Sequence, residues 1–255
     1  MSASGRVRIL WLDIDNVSFE EAEDRIVGMC REAGPAYVVT PNVDHFMRVR
    51  KSEALQTIYG NAALCLADGM PIVWAAKLLR CPLKAKVSGS DLAERLCKRA
   101  CDEGLRLFFL GGAPGIGEQA RRTLESSHPG IHIVGTLCPV VNADGESPDD
   151  DAVTCAIRDA KPHILFVALG CPKQELWIAR HRDLLGVPVC LGVGASLDFI
   201  AGVTARAPRW MQRSGLEWLW RLAQEPRRLW KRYLIDDLPF LWLVGVEALR
   251  RVRAR

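Results

Sequence analysis

Residues 105–127 read LRLFFLGGAPGIGEQARRTLESS: an apolar run, a glycine- and proline-rich turn, then a stretch whose Ile116, Ala120 and Leu124 recur every fourth position. The first part suits a buried strand. The last suits a helix that buries one stripe and wets the other. The same alternation runs along most of the chain. Val7–Leu12, Tyr37–Val39, Ala63–Leu66, Ile131–Val134, Ile164–Leu169 and Val187–Val193 read as further strands, while Phe19–Ala33, Val43–Arg50, Ser90–Cys101, Ala152–Ala160 and Lys173–His181 read as amphipathic helices. This order predicts an α/β, Rossmann-like fold with a mostly parallel sheet and helices on both faces. Ligands of such sheets bind beyond the carboxyl ends of the strands, where the βα loops gather.

Strand patterns stop near residue 200, which divides the chain into an α/β catalytic domain, 1–202, and a helical C-terminal appendage, 203–255. Pro208, Pro226 and Pro239 can each open a helix there, so three or four short helices are expected. The appendage holds 12 Lys/Arg against 5 acids, a balance of +7 in a chain whose net charge is +4, which leaves −3 for residues 1–200. It also holds Trp210, Trp218, Trp220, Trp230 and Trp242, five of the 8 tryptophans. Tryptophan and arginine mixed on helices suit an anionic membrane surface better than nucleic acid. With 49% hydrophobic and 25% charged residues and a mean hydropathy of +0.04, the 255 residues exclude a disordered chain. The N-terminus carries no signal-peptide pattern, and the longest apolar stretch, Leu238 to Leu249, is interrupted by Pro239 and Glu247. Integral insertion is therefore not expected, and the chain is assigned to the cytoplasm. Nine cysteines in a chain this long read as reduced, with Cys30, Cys65, Cys97, Cys101, Cys138 and Cys190 expected in the core.

The chemistry is sought at the strand ends. After Tyr37–Val39 come Thr40, Pro41 and Asn42, and Asn42 fits either a cap on the next helix or a ligand contact. After Ala63–Leu66 comes Ala67-Asp68-Gly69. Asp68 fits either a cap on the helix starting near Pro71 or a general base presented to a hydroxyl. Gly111, Gly112 and Gly115 leave room for a phosphate at a helix N-terminus, although neither a dinucleotide fingerprint nor a P-loop is present. Gln174 follows Ile164–Leu169, and its amide can both donate and accept, which suits sugar hydroxyls. Cys171 has no base beside it and reads as structural. Asp13-Ile14-Asp15 has the spacing of a metal-diphosphate motif, yet turn and capping roles fit its place better. No metal and no cofactor are expected. Without a metal, the basic appendage is left to neutralise a departing diphosphate, with Arg221, Arg228 and Lys231 as candidates; lipid contact alone fits the same residues.

Seven blocks in order, TPNVDHF (40–46), LADGMPIVWAAKLL (66–79), VSGSDL (87–92), FFLGGAPGIGEQA (108–120), ALGCPKQELWI (168–178), GVGASLDFIAG (192–202) and RAPRWMQRSGLEWLWRLAQEPRRLWKRY (206–233), resemble the WecG/TagA/CpsF family of bacterial glycosyltransferases. The resemblance implies an inverting, metal-independent transfer of a sugar from a UDP-sugar to a polyprenyl-diphosphate-linked sugar, forming a β-linkage in surface polysaccharide or teichoic-acid linker assembly. It places the family's base on Asp68, its other active-site positions on Thr40, Asn42 and Gln174, and its diphosphate arginines on Arg221 and Arg228, with Lys231 in place of the third. It also implies membrane docking by the appendage at the inner face of the cell membrane. Lys86 stands where an arginine is expected, which leaves a phosphate role there open. N-acetylmannosamine, its uronic acid and glucose all remain as donor sugars, and the oligomeric state, a homo-oligomer included, stays open. The alternative from another class is a non-catalytic module that binds a nucleotide-sugar or lipid; a nicotinamide-dependent oxidoreductase is disfavoured by the glycine spacing.

Overall fold

The computed structural model describes residues 5–32 and 34–253. Its centre is a six-stranded sheet in the order β4-β3-β8-β7-β5-β6, formed by β3 (Ala36–Val39), β4 (Leu64–Cys65), β5 (Arg106–Gly111), β6 (His132–Leu137), β7 (Ile164–Ala168) and β8 (Val189–Gly192). Every neighbouring pair is parallel. The strands are short and apolar because both faces are covered, and every residue of β7 and β8 is buried. Alternate residues of β7 feed opposite layers. Leu165 and Val167 join Phe46, Ile72 and Trp177 on one side, and Ile164 and Phe166 join Ile26, Leu96 and Ala120 on the other. The first layer is closed by α2 (Val43–Val49), α3 (Glu53–Gly60), α4 (Met70–Leu78), α7 (Asp150–Ala160) and α8 (Lys173–Leu185). The second is closed by α1 (Phe19–Met29), α5 (Gly89–Asp102), α6 (Ile116–Ser127) and α9 (Ser196–Ile200).

The expected α/β fold is present, with differences at the ends. Val7–Leu12 is not one strand of the main sheet. It splits into β1 (Arg6–Ile9) and β2 (Leu12–Asp15), an antiparallel hairpin turned at Leu10, whose φ is 53°. The helix expected to reach Ala33 ends at Met29, and Ala33 itself lies outside the described residues. Helix α3 is not among the helices expected from the sequence; Ser52 caps it through a bond from the Leu55 N–H. Beyond residue 202, α10 (Arg209–Arg213), α11 (Glu217–Gln224) and α12 (Pro226–Lys231) are short, as expected. A π-helical turn, Arg232–Asp236, then leads into α13 (Leu238–Arg253), which at 16 residues is a long helix and not a short one. Pro239 lies in its first turn, where a missing N–H costs nothing. α13 is anchored by Phe240, fully buried and edge-on to Phe46 with ring centroids 5.4 Å apart. All nine cysteines are free, but Cys138 is exposed and Cys101 only half-buried, because β6 is an edge strand and α5 turns its last residues outward.

The hairpin also accounts for the Asp-Ile-Asp motif. Asp13 and Asp15 stand two apart and so on one face of β2, yet only the second is covered: Asp13 is exposed and pairs with Arg8 at 2.9 Å. Asp15 is buried, accepts from the Cys65 N–H at 2.9 Å and pairs with Arg6 at 3.2 Å and Arg25 at 3.5 Å. The motif therefore fastens the hairpin to β4, in place of the turn and capping roles expected. Asp15→Ala should cost about 3 kcal/mol or more, since it leaves Arg6 without its counter-charge and the Cys65 N–H without its acceptor. Asp13→Ala should cost less than about 1 kcal/mol. Urea denaturation of the two variants measures the difference.

Candidate active site

The carboxyl ends of β3, β4, β7 and β8 meet at one edge of the sheet, and the polar residues at these ends are joined by short contacts. The Asp68 N–H donates to the Pro41 carbonyl at 3.0 Å, which ties the loop after β4 to the loop after β3. Asp68 does not cap α4. The N-cap is Gly69, at φ 105°, and it makes no side-chain cap bond. Glycine is required there by the positive φ, and the turn it permits leaves the Asp68 carboxylate free of the helix end. One carboxylate oxygen instead lies 3.5 Å from the Gly89 N–H at the start of α5. Gly89 also faces Thr40: a Cβ added to it would stand 2.8 Å from the Thr40 hydroxyl oxygen. Thr40 in turn approaches the Gly192 carbonyl at 3.5 Å. Gly192 abuts the Gln174 amide, 2.8 Å from where its own Cβ would sit. Thr40, Asp68 and Gln174 thus share one rim, linked through two glycines that no larger residue could replace without moving them.

The three differ in freedom. Gln174 is 3% exposed, its oxygen accepts from the Gly194 N–H at 3.0 Å, and its nitrogen donates to Glu175 at 2.9 Å. Its amide is committed to holding the β7 and β8 loops together, with one N–H left. Asn42 does cap α2, accepting from the His45 N–H at 3.4 Å, and it is also met by the Arg232 guanidinium at 3.1 Å. Asp68 is half-buried and its pKa is pushed up to about 6, first by burial and then by the Glu217 carboxylate; Lys86, the Gly89 N–H and Arg221 act in the opposite direction. A carboxylate poised near neutrality can take a proton at physiological pH and give it up again.

The appendage covers this rim. Lys86 pairs with Glu217 of α11 at 3.8 Å. Arg206 pairs with Asp91 at 2.5 Å and donates to Ser90 at 3.3 Å. Gly215, at φ 73°, lies so close to α4 that a Cβ there would fall 2.6 Å from the Trp74 ring. Arg221 stacks its guanidinium 5.8 Å from the Phe199 ring centroid, and its charge is felt by both Asp68 and Asp198. Arg228 is exposed and pairs with Glu225 at 2.7 Å, with its charge also reaching Asp198. Lys231 is exposed on the last turn of α12, and it is the next residue, Arg232, that turns inward. Arg232, Glu217 and Gly89 lie within the blocks that carry the resemblance, but no local spacing singles them out as rim residues, because each reaches the rim from a distant segment.

The glycine loop after β5 has a packing role of its own. A Cβ on Gly111 would lie 2.7 Å from the Ala168 carbonyl, and one on Gly112 would press on Ile116 at 3.2 Å. Only Gly115, the left-handed N-cap of α6, has open space around it. Among the described residues, one trio has metal-ligand geometry: donor atoms of His45, Cys171 and Glu175 lie within 4.8 Å of one another. In this structure the Tyr59 hydroxyl bridges His45 and Glu175 at 3.1 and 3.3 Å. Burial holds the His45 pKa down and pushes the Cys171 thiol up, which disfavours Cys171 as a nucleophile.

The fold and the rim together define an α/β protein with a parallel sheet, a half-buried carboxylate at its strand ends and a cover of arginine-bearing helices. The chain belongs to the glycosyl transferase WecG/TagA/CpsF family, whose profile matches residues 7–254. A relative from Bacillus spizizenii, named N-acetylglucosaminyldiphosphoundecaprenol N-acetyl-beta-D-mannosaminyltransferase, is 33% identical over 199 residues, 78% of this chain and 75% of its own length. A relative of the same name from Staphylococcus aureus MRSA252 is 27% identical over 257 residues, 99% of this chain and 96% of its own. One from Staphylococcus aureus MW2 is 26% identical over the same span.

The charges around Asp68 carry a testable sign. Activity that needs the ionised carboxylate should rise with pH along a limb near 6. Glu217→Gln removes a negative neighbour and leaves Lys86 unpaired, so both changes lower the Asp68 pKa and move the limb to lower pH. The pH profile of kcat/KM for the two proteins measures it.

Proposed function

We propose that this chain transfers a sugar from a UDP-sugar to a polyprenyl-diphosphate-linked sugar, with Asp68 as general base. The single observation that carries the reading is the poised Asp68 carboxylate at the strand-end rim, beside Thr40 and beneath a basic roof. Asp68 takes the proton of the acceptor hydroxyl as that oxygen bonds to the anomeric carbon of the donor. The carbon's bond to the diphosphate oxygen breaks, its electron pair leaves with UDP, and the single displacement inverts the centre to give a β-linkage. Arg221, with Arg228 and Lys231 nearby on the appendage, supplies positive charge for the leaving diphosphate, so the reaction runs without a metal. The open space at Gly115 and the first turn of α6 suit a donor phosphate. The names of the Bacillus and Staphylococcus relatives favour an N-acetylmannosamine donor and an N-acetylglucosaminyl-diphosphoprenol acceptor, which would set the reaction in surface polysaccharide or teichoic-acid linker assembly.

Residues 1–202 then serve as the catalytic body and 203–255 as a roof that also docks on the membrane. No helix among the described residues is long and apolar enough to cross a bilayer. Trp210, Trp230, Leu238, Leu241 and Trp242 are all exposed on the appendage, with Trp74 and Leu78 exposed on α4. Apolar side chains of that size, interleaved with arginine, suit an anionic leaflet at the inner face of the cell membrane.

Asp68→Asn should fold normally and lose about 10²–10⁴-fold in kcat, measured by product mass with UDP-N-acetylmannosamine and a short-chain polyprenyl-diphosphate-N-acetylglucosamine. Turnover at the wild-type rate would instead favour a binding module. Chelator should leave the rate unchanged. Leu241→Ser combined with Trp242→Ser should weaken co-sedimentation with phosphatidylglycerol vesicles and leave turnover of a soluble acceptor intact.

A further inference from the structure

Asn42 sits at the rim with its side-chain oxygen engaged twice, by the His45 N–H at 3.4 Å and by the Arg232 guanidinium at 3.1 Å. Both partners can only donate. The atom that faces them must therefore be the amide oxygen, and the chemistry of the neighbours dictates which way the amide is turned. No described residue accepts a hydrogen bond from the Asn42 nitrogen.

Arg232 reaches this point from the π-helical turn that joins α12 to α13. Arg232 is half-buried and faces the rim, where its predecessor Lys231 is exposed. The guanidinium is kept in place by charge more than by saturated hydrogen bonding. Asp44 lies 3.7 Å and Asp237 3.9 Å from its Nε atom, which has no hydrogen-bond partner, and the Tyr233 ring lies 5.5 Å away. Asp44 is in turn held by Arg48 at 2.9 Å. Among the described residues, the hydrogen bond that the Arg232 side chain makes is the one to Asn42.

We propose that Arg232 is a positioning residue for the transfer: it locks the Asn42 amide so that the site receives an N–H donor from Asn42, suited to a substrate oxygen of the phosphate or sugar. This rests on the reading of the rim as a sugar-transfer site. It replaces Lys231 with Arg232 as the residue that couples the end of the appendage to the rim. Closure of the roof and orientation of a substrate contact then become one event, because the same guanidinium does both.

The lock is tested without turnover by the side-chain amide resonances of Asn42 in ¹⁵N-labelled protein. Arg232→Ala should shift them and speed exchange of the amide protons; resonances that stay in place would overturn the lock whatever the enzyme does. In the transfer assay with UDP-N-acetylmannosamine and the short-chain acceptor, Arg232→Ala should lower kcat/KM at least about tenfold. Arg232→Lys should recover part of it, since lysine can also donate to the amide oxygen. Asn42→Asp should melt no lower than the wild type, because a carboxylate pairs more strongly with Arg232, yet lose turnover because the donor is gone. Arg232→Ala added to Asn42→Ala should cost nothing further. Additive losses, or an active Asn42→Asp protein, would overturn the proposal. Absence of transfer by the wild type would instead sink the sugar-transfer reading, with the resonance result still deciding the lock.

Discussion

The hydrogen bond from the Asp68 amide to the Pro41 carbonyl is the constraint on which the site depends. It joins the exits of two neighbouring parallel strands, where polar side chains gather. The strands themselves are buried on both faces, so a carboxylate along their length would be stripped of solvent without compensation. At the strand end the same carboxylate keeps a partial opening and an N–H from Gly89. Glycines then set the spacing: Gly69 turns the chain, Gly89 admits Thr40, and Gly192 admits Gln174. The rim is close-packed, because a Cβ on Gly89 or on Gly192 would stand 2.8 Å from the side chain of Thr40 or of Gln174.

The Asp68 carboxylate is balanced by groups from separate parts of the chain. Burial and Glu217 favour its proton; Lys86, Gly89 and Arg221 oppose it. Two of these five influences, Glu217 and Arg221, come from α11, four residues apart on one helix face. The appendage is therefore part of the electrostatics of Asp68 as well as a cover. Lifting it would remove both charges at once and open Asp68 to water, which would return its pKa toward that of an ordinary carboxylate.

The appendage has to satisfy two surfaces. Phe240 and Val244 of α13 are buried against the α/β body, while Leu241 and Trp242, on the same turn, face out. An amphipathic helix usually spends its apolar face on the core and shows a polar one. Here apolar residues occupy both sides, and the arginines lie toward its C-terminal end, where Arg251 reaches the Leu79 and Arg8 carbonyls at 3.2 Å. That distribution leaves an exposed apolar face on α13, which supports the membrane docking proposed above.

Much of this was legible in residue order. The alternation of apolar runs and fourfold-spaced helices determined a parallel α/β sheet, because period and run length report burial directly. Thr40, Asn42, Asp68 and Gln174 were identifiable as strand-end residues for the same reason, and the seven ordered blocks carried the family. The hairpin was not legible: a left-handed Leu10 gives no signal of its own, so a strand and its return read as one. Whether Asp68 caps a helix or stands free could not be read locally, since both fit Asp-Gly before a helix; the φ of Gly69 decided it. Nor could the choice of Arg232 over Lys231, because which of two adjacent cations turns inward is decided by a partner, Asn42, that lies far away in the chain. The sequence by itself determined the elements and their order, which depend on local spacing. Only the tertiary structure decided which charges meet at Asp68 and Asn42, since those contacts join residues up to 190 positions apart.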